Sequence, residues 1–179
     1  MEKIRSKYSN PDFRFARFKL GQIDFGIDIR SVKEMLRQTD VTAMPEAPDF
    51  IAGTVGVRGM SVPVIDLRRR FSLDSAPRNP EQIMLVVIDD TVALDSAERV
   101  TEGGGIITGL LIDEICDVAM GCKEAMIKTK SKQKRLWDGC VEAVVETGSG
   151  SVFVIDLKRL LTVTEVEALK SPLFQTPRQ

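Results

Sequence analysis

The sequence predicts an all-β fold built as a doubled unit, on three observations. The phrase "SVPVIDLRRRF" at 61–71 returns ninety residues later as "SVFVIDLKRLL" at 151–161, with seven of the eleven positions identical. The segments upstream of the two copies also match in kind and in order. Between turn residues, the apolar stretches are short and strand-like, which favours small barrels or a sandwich. Two copies with so long a period point to a duplicated small domain, not a solenoid.

Each element follows from local chemistry. "RFARFKL" at 14–20 is the first strand and Gly21 its turn. "GIDIRSVKEM" begins at Gly26, with Ile29, Val32 and Met35 at steps of three. "GTVGVRG" at 53–59 is an apolar strand that ends in a turn at Gly59. In the first copy of the phrase, Val62 and Val64 alternate with Pro63 and Ile65. Pro63 has no N–H to donate, so the strand is expected at a sheet edge or to begin there. Asp66 ends the strand, and its carboxylate is placed to cap a helical turn over Leu67–Phe71.

The second unit repeats the series. "IMLVVID" at 83–89 is followed by a turn at Asp89–Asp90 and a long loop over 90–105. "GLLIDEICDV" from Gly109 sets Ile112, Ile115 and Val118 at the same steps of three. "GCVEAVVETG" at 139–148 leads through a Gly148–Gly150 turn into the second phrase, where Asp156 caps Leu157–Leu161. Clear helix is confined to the end: Thr164 and Glu167 have capping-box spacing before "VEALK", and Pro172 limits the helix. The tails 1–11 and 171–179 are expected to fray.

Composition excludes several function classes. The 179 residues are 43% hydrophobic and 28% charged, which is globular and not disordered composition. A net charge of −1 gives no field to hold nucleic acid or an anionic membrane. No apolar run is long enough to span a bilayer, and "MEKIRSKYSN" lacks a signal-peptide core, so the expected location is cytoplasmic. There is no histidine, which removes the commonest general base and the Ser-His triad. Cys116, Cys122 and Cys140 have no C-x-x-C spacing and read as buried thiols, so no metal site, cofactor or catalytic residue is expected.

At this point the residues carry a resemblance. "FGIDIRSVKEM", "MPEAPDFIAGTVGVRGMSVPVIDLRRRF" and "GLLIDEICDV", in that order, resemble the CheW family of chemotaxis coupling proteins. The specific part is Pro48-Asp49-Phe50, Gly53, Arg58-Gly59 and the strand ending Ile65-Asp66-Leu67-Arg68. The resemblance covers about 12–170, with subdomains near 12–80 and 81–163. It implies two intertwined five-stranded β-barrels with short helices and a C-terminal helix. It also implies a non-catalytic adaptor, recruited to receptor arrays. The implied partners are a chemoreceptor (methyl-accepting chemotaxis protein) cytoplasmic tip and the regulatory domain of a CheA-type histidine kinase. One departure is Arg17, in a first strand that tends to be apolar in the family.

Candidate sites each have two readings. Asp66 and Asp156 are either an acid/base pair or two caps, and their equivalent places in a doubled unit favour caps. Arg58-Gly59 is either a plain turn with an exposed Arg or an Arg held for a partner's carboxylate or carbonyl. The resemblance links the matching Arg with receptor coupling. Val32 and Glu34 are either a core residue and a solvated charge or, as the resemblance implies, part of a partner edge. Leu85 and Val87 are then expected beside them, lining an apolar groove for an amphipathic helix. Arg58, Gly59, Val32, Glu34, Leu85 and Val87 are the predicted partner-binding residues. The alternative function is a nucleic-acid-binding barrel using the basic stretch 123–135, against a solvated loop as its plainer reading.

Overall fold

The computed structural model describes residues 13–37, 40–45, 47–73, 82–89, 105–121 and 139–170; along 82–89 the side chains described are Met84 and Val86. The fold is mostly β, in two five-stranded sheets. Sheet A holds β1 (Phe13–Leu20), β2 (Ile23–Asp28), β8 (Glu114–Gly121), β9 (Val141–Thr147) and β10 (Gly150–Ile155), in the order β8-β1-β2-β10-β9. Sheet B holds β3 (Val32–Arg37), β4 (Ile51–Val57), β5 (Met60–Asp66), β6 (Gln82–Asp89) and β7 (Gly105–Ile112), in the order β3-β6-β7-β5-β4. Helix α1 (Leu67–Arg70) follows β5, helix α2 (Val163–Leu169) closes the described chain, and 3-10 turns lie at Ile29–Ser31 and Leu157–Arg159.

The two sheets share one pairing scheme. In sheet A the hairpin β1–β2 lies antiparallel to β8 through β1 and parallel to β10 through β2. In sheet B the hairpin β6–β7 lies antiparallel to β3 through β6 and parallel to β5 through β7. Each sheet therefore takes a hairpin from one half of the chain and three strands from the other. A division near residue 80 follows the sequence copies, but the strands are not shared out that way.

A shared core fills the space between the sheets. Phe18 and Phe25 of sheet A meet Ile65, Leu67, Phe71, Met84 and Leu110 of the other side, all nearly or fully buried. Each sheet carries a second apolar cluster on its other face. Val55, Val57, Val62, Val64 and Leu111 form one, with Leu36 packed against it. Phe15, Ala143, Val145, Val152 and Val154 form the other, with Phe13 and Ala119 against it. Leu36 and Val57 come from opposite edges of sheet B, so that sheet is curled.

The two aspartates of the repeated phrase are caps. Asp66 accepts from the backbone N–H of Arg68 at 2.9 Å and of Arg69 at 3.1 Å. Asp156 accepts from the N–H of Lys158 at 3.0 Å. Ile65, Leu67, Ile155 and Leu157 beside them are buried. Asp66→Ala is expected to cost about 0.5–2 kcal/mol, as for other lost N-caps. Urea unfolding midpoints at constant slope measure it, and an unchanged midpoint would contradict the capping role.

Two local expectations are corrected. β5 is an interior strand between β4 and β7, although Pro63 lies within it. Its ladder to β7 begins only at Val64, so no N–H is required of Pro63 on that side. The Pro63 carbonyl accepts from the buried Thr108 hydroxyl at 2.9 Å. The capping box belongs to Thr162 and Glu165, two residues earlier than the expected Thr164 and Glu167. Both spacings satisfy the motif. Arg70 settles the choice: its Nη1 donates to Glu165 at 2.9 Å and its Nε to the Leu160 carbonyl at 3.0 Å. The loop 90–104, the basic stretch 123–135 and the tails lie outside the described residues.

Candidate functional site

The β4–β5 hairpin turns on Arg58 and Gly59, with φ of 50° and 81°. Val57 and Met60 form the last pair of the ladder, so the loop has two residues, both left-handed. Such loops match the twist of the strands and favour Asn or Gly at the first position. A left-handed residue with a Cβ costs roughly 1–2 kcal/mol. Gly53 is a second backbone requirement. Its φ is 147°, and a Cβ there would stand 2.1 Å from the Thr42 carbonyl oxygen. That close approach carries paired hydrogen bonds between Thr42 and Thr54, both at 2.9 Å, which hold the segment before β4 against it.

Arg58 reaches across the curled sheet. Its Nη2 donates to Glu34 Oε2 at 3.1 Å, joining the hairpin at one edge of sheet B to β3 at the other. The pair is exposed, with Arg58 at 77% and Glu34 at 38%, so it adds little to folding but presents both charges. Val32 does not share a face with Glu34. A β-bulge sets Val32 opposite Val86 and Glu34 opposite Leu85, the adjacent residue. Val32 is consequently half-buried against the shared core.

The structure thus gathers Arg58, Gly59 and Glu34 around one contact and places Val32 on the same strand. The backbones of Leu85 and Val87 lie on the adjacent β6; their side chains lie outside the description. The sequence reading missed Met60, half-exposed right after the turn. Adjacency to the Gly59 turn was the available signal for Met60. Thioether side chains suit adaptable contacts.

Arg17 plays a comparable part in sheet A. Its Nε and Nη2 bind both oxygens of Asp117 on β8 at 2.9 and 3.0 Å, and its Nη1 donates to Ser149 Oγ at 2.8 Å. Hydrogen bonding to Asp117 holds the Arg17 guanidinium above its ordinary range, against a smaller opposing effect of burial. The residue that departs from the apolar pattern is therefore a tie between β8 and the β9–β10 turn.

Among the described residues, the candidate aspartates are not brought together, and neither are the cysteines. Asp66 and Asp156 cap separate turns. Burial pushes the Cys116 and Cys140 thiols up, which keeps them protonated and poorly nucleophilic at neutral pH. Among the described residues, no three His, Cys, Asp or Glu side chains are placed to hold a metal ion. No helix among them is long and apolar enough to cross a membrane.

Known proteins place this architecture. The CheW-like domain family matches residues 14–165. "Chemotaxis protein CheW" of Treponema pallidum is 26% identical, over 93% of this chain and 92% of that protein. "Chemotaxis protein CheW" of Klebsiella aerogenes is 27% identical, over 85% of this chain and 83% of that protein. Among solved structures, the scaffolding protein TtCheW from Thermoanaerobacter tengcongensis superposes with a TM-score of 0.67 at 25% identity, covering 83% of this chain and 91% of that one. With a family match across both sheets and their shared core, the chain belongs to the CheW-like domain family.

Proposed function

We propose that this chain is a non-catalytic scaffold that couples a chemoreceptor's cytoplasmic tip to the regulatory domain of a CheA-type histidine kinase. It acts in the cytoplasm, recruited to receptor arrays. Its partner surface is built around Val32, Glu34, Arg58, Gly59, Leu85 and Val87. Family membership supports the class of function. The observation that carries the site is an arginine at a turn position that disfavours it, aimed at Glu34. Strained backbone retained at an exposed turn is a common mark of function. We also infer that the two sheets are barrels of duplicated origin. The common pairing scheme, the curl of sheet B and the repeated phrase support that reading.

Arg58→Gly separates function from folding. Glycine relieves the left-handed strain, so stability is expected to stay within about 1 kcal/mol of the wild type or to rise slightly. Affinity for a receptor-tip bundle is expected to fall by about 1 kcal/mol or more, the level that marks an important interface residue. Calorimetric titrations with the tip bundle and with the kinase regulatory domain measure both arms. Unchanged affinity for both partners in a folded variant removes Arg58 from the interface.

A further inference from the structure

We infer that Arg70 is a latch: it fastens a strap, residues 159–169 with α2, over Cys140, and when the latch is cut the strap lifts while both sheets stay folded. The inference concerns the free chain and stands whatever binds it.

The latch lies where the two copies of the repeated phrase meet. Arg70 and Leu160 hold the same place in the two copies, ninety residues apart. The arginine reaches across to its own counterpart: its Nε donates to the Leu160 carbonyl at 3.0 Å. Its Nη1 and Nη2 donate to the two oxygens of Glu165 in the first turn of α2, at 2.9 and 3.1 Å. The guanidinium carbon stands over the Phe50 ring, 4.8 Å from its centroid. A charged fork of this kind fixes distance and angle together, and an aromatic face favours the cation where it is.

Glu165 gives the latch its reach. The Oε2 that Arg70 holds also accepts from the Thr162 N–H at 2.7 Å, and Thr162 Oγ1 accepts in return from the Glu165 N–H at 3.3 Å. The capping box that starts α2 is thereby pinned to α1. From there the helix turns Val166 and Leu169 into the shared core, with Leu160 and Leu161.

Cys140 lies under the strap. It is the counterpart of Phe50: the Asp66 N–H donates to the Phe50 carbonyl and the Asp156 N–H to the Cys140 carbonyl, both at 2.8 Å. Its thiol is buried and donates to the Arg159 carbonyl at 3.1 Å, one residue before the point that Arg70 holds. Without the guanidinium, the Leu160 carbonyl and the Glu165 carboxylate lose their donors, at a place where the Glu165 side chain is only 21% exposed. Polar groups left short of partners there must reach water, and a lifted strap gives them that access.

Hydrogen exchange and thiol alkylation on the free, full-length chain test this. Arg70→Met keeps the bulk of the stem and removes the donors. The Val166 and Lys170 amides, bonded to the Thr162 and Val166 carbonyls, are expected to exchange about tenfold faster or more, relative to the slowest amides of β2 and β10. Iodoacetamide reports on Cys140 in a chain that also carries Cys116→Ser and Cys122→Ser, and here charge and motion act with opposite sign. Burial is the larger push upward on this thiol, and the Arg70 charge pulls it down. Losing that charge without motion leaves less thiolate and slower alkylation at a fixed pH. Lifting of the strap is expected to make alkylation several-fold faster. Val62→Ala, in the cluster on the other face of sheet B, lowers stability away from the latch and is expected to leave both readouts near the wild type. If Arg70→Met does not fold, Glu165→Gln decides by exchange alone: the amide can still accept from Thr162, but the charged fork is gone, and α2 is expected to exchange several-fold faster. Faster helix exchange in a folded latch variant, with faster alkylation in Arg70→Met, supports the inference. Unchanged exchange at Val166 and Lys170, slower or unchanged alkylation in Arg70→Met, or an equal response to Val62→Ala overturns it.

Discussion

Asp113→Ala is expected to destabilise the chain by about 3–5 kcal/mol, the range for removing one partner of a buried ion pair. The cost comes less from the lost attraction than from what is left behind. The Arg68 guanidinium would keep its buried place and lose its carboxylate, and the Gly21 N–H would lose its acceptor. Typical domains have only 5–15 kcal/mol in hand, so the variant should unfold at far lower urea. The paired replacement Asp113→Leu with Arg68→Met should cost much less than either single change, because it removes both desolvated charges together. Urea unfolding followed by circular dichroism measures all of these. A single-variant cost below about 1 kcal/mol would place this pair with ordinary surface ion pairs.

Phe25→Ala is expected to cost about 3–5 kcal/mol through the cavity it opens. Phe25 is fully buried at the centre of the shared core. Its ring centroid lies 6.0 Å from Phe18, 5.6 Å from Phe71 and 6.0 Å from Phe153. Those neighbours come from β1, from the end of α1 and from β10, so one side chain touches elements of both halves. The loss should appear as one cooperative transition at lower denaturant, with both sheets losing exchange protection together. Separate transitions for the two sheets would show that the shared core does not couple them. Phe25→Leu fills much of the same volume and should cost clearly less.

The candidate site was legible as far as backbone chemistry is local. Gly59 marked the turn, and an arginine before it in a tight hairpin was visible as a side chain held in place. Its partner was not visible. Glu34 lies 24 residues earlier, and only the curl of sheet B brings it within 3.1 Å of Arg58. Val32 shows the opposite limit. Strict alternation puts it on the face of Glu34, but one bulged residue reverses that, and no local pattern announces a bulge there. Arg17 was noticed as a departure, and its reason is a carboxylate one hundred residues away.

By itself the sequence determined the predominance of strand, both capping aspartates with their buried neighbours, and the turns at Gly21, Gly59 and Gly148–Gly150. All of these depend on side-chain period, caps and turn residues, which act within a few positions of the chain. Only the tertiary structure decided which hairpin joins which sheet. The two units carry nearly the same pattern, so β2 could satisfy its alternation beside β5 as well as beside β10. Local propensity is close to indifferent between them. The choice falls to non-local terms: the core shared by both halves, and the buried pair in which Asp113, between β7 and β8 in the second half of the chain, meets Arg68 on α1 in the first.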